Sequence, residues 1–109
     1  MNCIIKRQVN EQQTGLSEKT LQQIKHTLDQ FTEVEKACVF GSRAKGNFKV
    51  GSDIDIALWG ERITPKILQR IAYQLNEETI MPYFFDLVHY ESITNDALLV
   101  HINELGLCL

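Results

Sequence analysis

A chain of 109 residues has room for one domain with a modest core and not for two. Hydrophobic residues at 44% and charged ones at 23% exclude a disordered chain, and a net charge of −3 argues against a protein that coats nucleic acid. With no run of 18 apolar residues and no signal-peptide pattern, a cytoplasmic protein with no membrane partner is expected.

Residues 1 to 15 give little. Cys3-Ile4-Ile5 is compatible with a short strand, and Gln8 to Thr14 is polar up to Gly15. Ser17 then serves as an N-cap, with Leu16 stapled onto Leu21. Leu21, Ile24, Leu28 and Phe31 follow at helical spacing, which predicts an amphipathic helix of about 14 residues with His26 on its solvated face. The three cysteines, Cys3, Cys38 and Cys108, are scattered and form no C-x-x-C pair, so neither a zinc site nor a disulfide framework is indicated.

The chain is organised around CVFGSRAKGNFKVGSDIDIALW, Cys38 to Trp59. A first strand, Ala37 to Phe40, breaks at Gly41-Ser42 into a short helix, Ser42 to Lys45, closed by Gly46. That turn aims backbone N–H groups and a hydroxyl at whatever lies above the strand end, and glycine lets a ligand approach the backbone closely. Arg43, Lys45 and Lys49 follow with no acid among them, which suits an anion. A P-loop reading of GSRAKGN fails, because Asn47 and Phe48 stand where Lys and Ser or Thr belong.

A second strand runs from about Asp53 to Trp59. Side chains alternate along it, so Asp53 and Asp55 project together while Ile54, Ile56 and Leu58 face a core. Two carboxylates so placed repel each other, and a divalent cation with oxygen ligands relieves them. An EF-hand fails, since Ala57 and Leu58 occupy the positions of a ligand and the turn glycine. A cation beside an anion-binding loop implies phosphoryl or nucleotidyl transfer.

Downstream, Thr64 caps a helix with Pro65 at its first position, and Ile67, Ile71 and Leu75 form its buried stripe. A third strand, Tyr83 to His89, places Phe84, Asp86 and Val88 on one face, so Asp86 is expected among bulky apolar neighbours with a cation or an ion pair to offset its charge. His89 faces the other way and is expected to pack. Ser92 is the predicted cap of a last helix, Ile93 to Leu105, stopped by Gly106. The tail Leu107-Cys108-Leu109 suits a sheet edge or a docking surface.

Gly41-Ser42, ten intervening residues, Asp53-x-Asp55 and the later Phe85-Asp86-Leu87-Val88 together resemble the signature of the DNA polymerase β-like nucleotidyltransferase superfamily. The short length resembles its minimal branch, the MNT proteins of HEPN/MNT toxin–antitoxin pairs. The resemblance covers roughly residues 37 to 90. It implies an α/β fold, a small mixed sheet covered by helices, and an enzyme in which Asp53, Asp55 and Asp86 hold magnesium. Two ions ~4 Å apart are the arrangement two-metal transfer sites use. It implies that Gly41 and Ser42 bind the nucleotide, with ATP as substrate and a HEPN-domain partner as acceptor. Arg43 or Lys45 would neutralise charge on the leaving group. A small-molecule nucleotidyltransferase subunit and a steric, non-catalytic antitoxin are the competing expectations. Stable nucleic-acid binding is not expected, while strand order and homo-oligomerisation stay open.

Overall fold

The computed structural model describes residues 14–109. The expected strand at Cys3-Ile4-Ile5 lies outside them. The described elements, in chain order, are α1 (Glu18–Asp29), β1 (Lys36–Phe40), α2 (Ser42–Lys45), β2 (Ile54–Trp59), α3 (Pro65–Glu77), β3 (Phe85–His89), a 3-10 turn (Tyr90–Ser92), α4 (Asp96–Leu105) and β4 (Leu107–Cys108). Among the described residues the strands form one four-stranded mixed sheet in the order β3-β2-β1-β4.

Local chemistry explains most boundaries. The Ser17 side chain accepts from the Thr20 N–H, and the Thr64 side chain accepts from the Ile67 N–H, so both predicted caps satisfy a helix-end donor. Gly46 closes α2 in the left-handed conformation, at φ 80°. The last helix starts later than expected, at Asp96, with Asn95 rather than Ser92 as its cap. Asn95 accepts from the Leu98 N–H, while the Ser92 hydroxyl is engaged by the His89 ring inside the preceding turn. Phe31 falls beyond the end of α1 and still packs on the core.

β1 and β2 are antiparallel neighbours joined through α2 and the following loop, with Phe40 opposite Asp55. β2 and β3 are parallel, and α3 makes the crossover that parallel strands require. The C-terminal tail joins the sheet, pairing Cys108 with Cys38 along the outer edge of β1.

The period-two alternation of the strands builds two unlike faces. Ala37, Val39, Ile54, Ile56, Leu58 and Phe85 pack beneath Leu21, Ile24 and Leu28 of α1 and Ile71 and Leu75 of α3. Burying each such side chain contributes roughly 1.5–3 kcal/mol, so this face supplies most of the folding energy. On the other face Cys38, Phe40, Ala57 and Trp59 meet Ile102 of α4. Among the described residues that helix alone lies over β1, and Asp53, Phe84 and Asp86 stay exposed beyond it. No described helix is long and apolar enough to cross a membrane.

Candidate active site

The sheet brings the ends of three strands together. β1 finishes at Phe40, opposite Asp55 near the start of β2, and Asp55 stands beside Asp86 in the parallel register. Neighbouring strands lie ~4.8 Å apart, so these two aspartates are adjacent on the open face. Asp53, exposed, precedes the strand by one residue. Their mutual field is visible in Asp55. Its carboxyl is held above the ordinary 3.8, first by burial, then by the charge of Asp86, then by that of Asp53. The three predicted carboxylates are thus brought to one end of the sheet.

The Gly41-Ser42 turn lies against this cluster. Gly41 has φ 74° and ψ −152°, a conformation open to glycine and strained for any other residue. A Cβ built there would collide with Oδ2 of Asp55, so glycine is required for closeness as well as for conformation. Its carbonyl accepts from the Lys45 N–H at 3.1 Å, which starts α2 and leaves Ser42 as the first helical residue. Lys45 and Lys49 are exposed, as side chains that meet a dissolved anion must be.

Arg43 is placed differently from the expectation. It is buried, its Nη1 donates to the Thr14 carbonyl at 2.8 Å, and its Nε and Nη2 donate to the Ser52 carbonyl. The guanidinium also lies over the rings of Phe48 and Tyr83, at 4.8 and 5.0 Å from their centroids. Rather than facing a phosphate, Arg43 ties the loop before Asp53 to the segment before β3. Asp86 departs from expectation too. It is exposed, and Phe84 beside it is 58% exposed, because α4 covers β1 and not this edge. His89 packs as expected, with Nε2 2.7 Å from the Gly60 carbonyl.

Two side chains at the site had no signal in the sequence motif. Asn76 of α3 accepts from the Phe85 N–H and donates to the Phe85 carbonyl, fixing the residue before Asp86. His101 of α4 accepts from the Gly41 N–H through Nε2 at 2.9 Å. Burial, and then the charge of Lys45, hold the His101 pKa below the ordinary 6.5. The only hint for His101 was a titratable residue amid the apolar run Leu98-Leu99-Val100 and Ile102.

Magnesium fits this donor set. Carboxylate oxygens are its preferred protein ligands, and beside the burial that chiefly raises the pKa of Asp55, the charges of Asp86 and Asp53 are ones a cation would relieve. Among the described residues no group of three or more His, Cys, Asp or Glu side chains is drawn together closely enough to hold a metal ion by itself. Magnesium takes one or two protein carboxylates and completes its shell with water and substrate phosphate, and Asp53, Asp55 and Asp86 are the residues that would hold it.

The family described as "Polymerase beta, Nucleotidyltransferase" matches residues 22–109. No curated protein shows detectable sequence similarity to the chain. Among solved structures, a toxin–antitoxin complex with AMP-PNP superposes with a TM-score of 0.66 at 22% identity, over 85% of this chain and 72% of that one. The complex of the tri-AMPylated HEPN toxin of Shewanella oneidensis with its MNT antitoxin gives 0.60 at 20% identity, over 80% and 66%. A MntA–HepT toxin–antitoxin structure gives 0.58 at 21%, over 81% and 66%. At these identities the likeness is one of fold. The family match, over most of the chain's length, shows that the chain belongs to the polymerase beta nucleotidyltransferase family.

Proposed function

We propose that the chain is a magnesium-dependent enzyme that transfers AMP from ATP to a hydroxyl of a partner protein. The acceptor is a tyrosine of a HEPN toxin, which the modification silences. The observation that carries this reading is the meeting of Asp53, Asp55 and Asp86 at one sheet end against the Gly41-Ser42 turn. Family membership supplies the reaction class. The structurally similar antitoxin complexes, one with AMP-PNP and one with an AMPylated toxin, support the nucleotide and the acceptor.

Asp53, Asp55 and Asp86 would hold magnesium, which when bound neutralises the carboxylates and the triphosphate and makes the acceptor hydroxyl more acidic. Ser42 binds the β- and γ-phosphates, Gly41 lets them approach the backbone closely, and Lys45 balances charge on the departing pyrophosphate. The new bond joins the acceptor oxygen to the α-phosphorus as the bond to pyrophosphate breaks. The hydroxyl proton passes to Asp86, whose exposed position on the open face leaves it accessible to an incoming side chain.

Incubation with a purified HEPN partner, ATP and magnesium should add the mass of one or more AMP groups to that partner. Asp53→Asn with Asp55→Asn should abolish the increment and the neutralisation together. Retained neutralisation without any mass gain would replace catalysis by steric inhibition. Modification of an aminoglycoside-type small molecule instead of the partner would move the acceptor to another class.

A further inference from the structure

The helix α4 covers β1, and through one side chain it also reaches the Gly41-Ser42 turn. His101 Nε2 accepts the Gly41 N–H at 2.9 Å across 60 residues of sequence. An imidazole nitrogen that accepts carries no proton, so the ring is neutral with its hydrogen on Nδ1. The ring is further oriented edge-on to Phe40, with centroids 5.9 Å apart and planes at 74°.

This bond falls at a position with leverage. Gly41 connects β1 to α2, and its two backbone polar groups are held from opposite sides: the N–H by His101, the carbonyl by the Lys45 N–H. With both fixed, the direction in which Ser42 leaves the strand is fixed as well. The same glycine lies so close to Asp55 that a Cβ would strike its carboxylate. A swing of the turn would therefore disturb phosphate-binding and carboxylate groups together.

From this we infer that His101 is a positioning residue, the acceptor that keeps the Gly41-Ser42 turn in the geometry that receives a triphosphate. The inference rests on the nucleotidyltransferase reading. His101 touches no reacting atom in it; the side chain acts through Gly41. An apolar residue of similar bulk preserves packing on Phe40 but orphans the N–H, whereas glutamine places a carbonyl oxygen near the position of Nε2.

The test is calorimetric binding of AMP-PNP with magnesium to the full chain and to His101→Leu and His101→Gln. Loss of an acceptor for a half-buried donor should weaken binding in the leucine variant by about tenfold, with the glutamine variant within about twofold of wild type. Manganese binding to the carboxylates, followed by electron paramagnetic resonance without nucleotide, should be unchanged in both. Equal nucleotide affinity in wild type and His101→Leu would overturn the inference. So would a glutamine variant as weak as the leucine one, which would assign the ring to packing alone. A wild-type chain that binds no AMP-PNP would instead overturn the function itself, and the inference with it.

Discussion

The two faces of the sheet are built from the same strands and do opposite things. Beneath α1 and α3, Ile54, Ile56 and Leu58 are wholly buried. One residue out of step, Asp55 faces the open side, where burial and two neighbouring acids raise its pKa. Adjacent residues of β2 thus contribute with opposite sign: Ile56 stabilises the fold, and ionised Asp55 costs stability in the absence of a cation. The sealed face holds the strand ends still so that the open face can keep like charges together.

Substitutions along β2 break this comparison most sharply. In the sealed face Ile56→Ala should destabilise by about 2–5 kcal/mol, read from chemical denaturation, with transfer lost only as far as the protein unfolds. Gly41→Ala imposes a strained backbone and a collision with Asp55, and should cost about 1–3 kcal/mol while weakening nucleotide binding. A Gly41→Ala protein with wild-type stability would show that the turn relaxes freely.

The smallest effect has the most telling sign. Asp55→Asn removes a charge that is unfavourable in the folded state, so the thermal midpoint in chelator should rise by a few degrees while transfer is lost. The pH dependence follows from the same shift. A raised carboxyl pKa gives stability that is fully present below 3.8 and is lost as pH rises through the folded value; Asp55→Asn should abolish that loss. His101 runs the other way. Its lowered pKa gives stability present above 6.5 that fades as pH falls toward the folded value, a decline His101→Gln should lack. A midpoint that falls in Asp55→Asn would mean that the carboxylate is already neutralised within the fold.

What was legible in the sequence was what is encoded locally. The caps at Ser17 and Thr64, the Gly46 stop and the alternation of β2 each depend on residues a few positions apart, and each was found as expected. That Asp53 and Asp55 share a face followed from strand alternation, whereas Asp86, which pairs in register with Asp55, was implied only by the family resemblance. Arg43 was misplaced because its partners are the carbonyls of Thr14 and Ser52 and the rings of Phe48 and Tyr83, which no local rule connects. Ser92 lost its cap role to Asn95 because a nearby imidazole engages its hydroxyl. Exposure of Asp86 depends on how far α4 extends across the sheet, and that is a matter of packing. His101 belongs to the same class, its contact being made across the whole motif.

Among the described residues the sheet has β3 at one border and β4 at the other. Leu107 and Cys108 run along the outside of β1, and Asn76 occupies the outward N–H and carbonyl of Phe85 at the start of β3. The outward rung of Phe85, beside Asp86, is therefore taken, and an incoming polypeptide cannot pair with it to extend the ladder at that position. A visitor would meet exposed side chains such as Phe84 and Val50, which surface substitution can change without touching the scaffold.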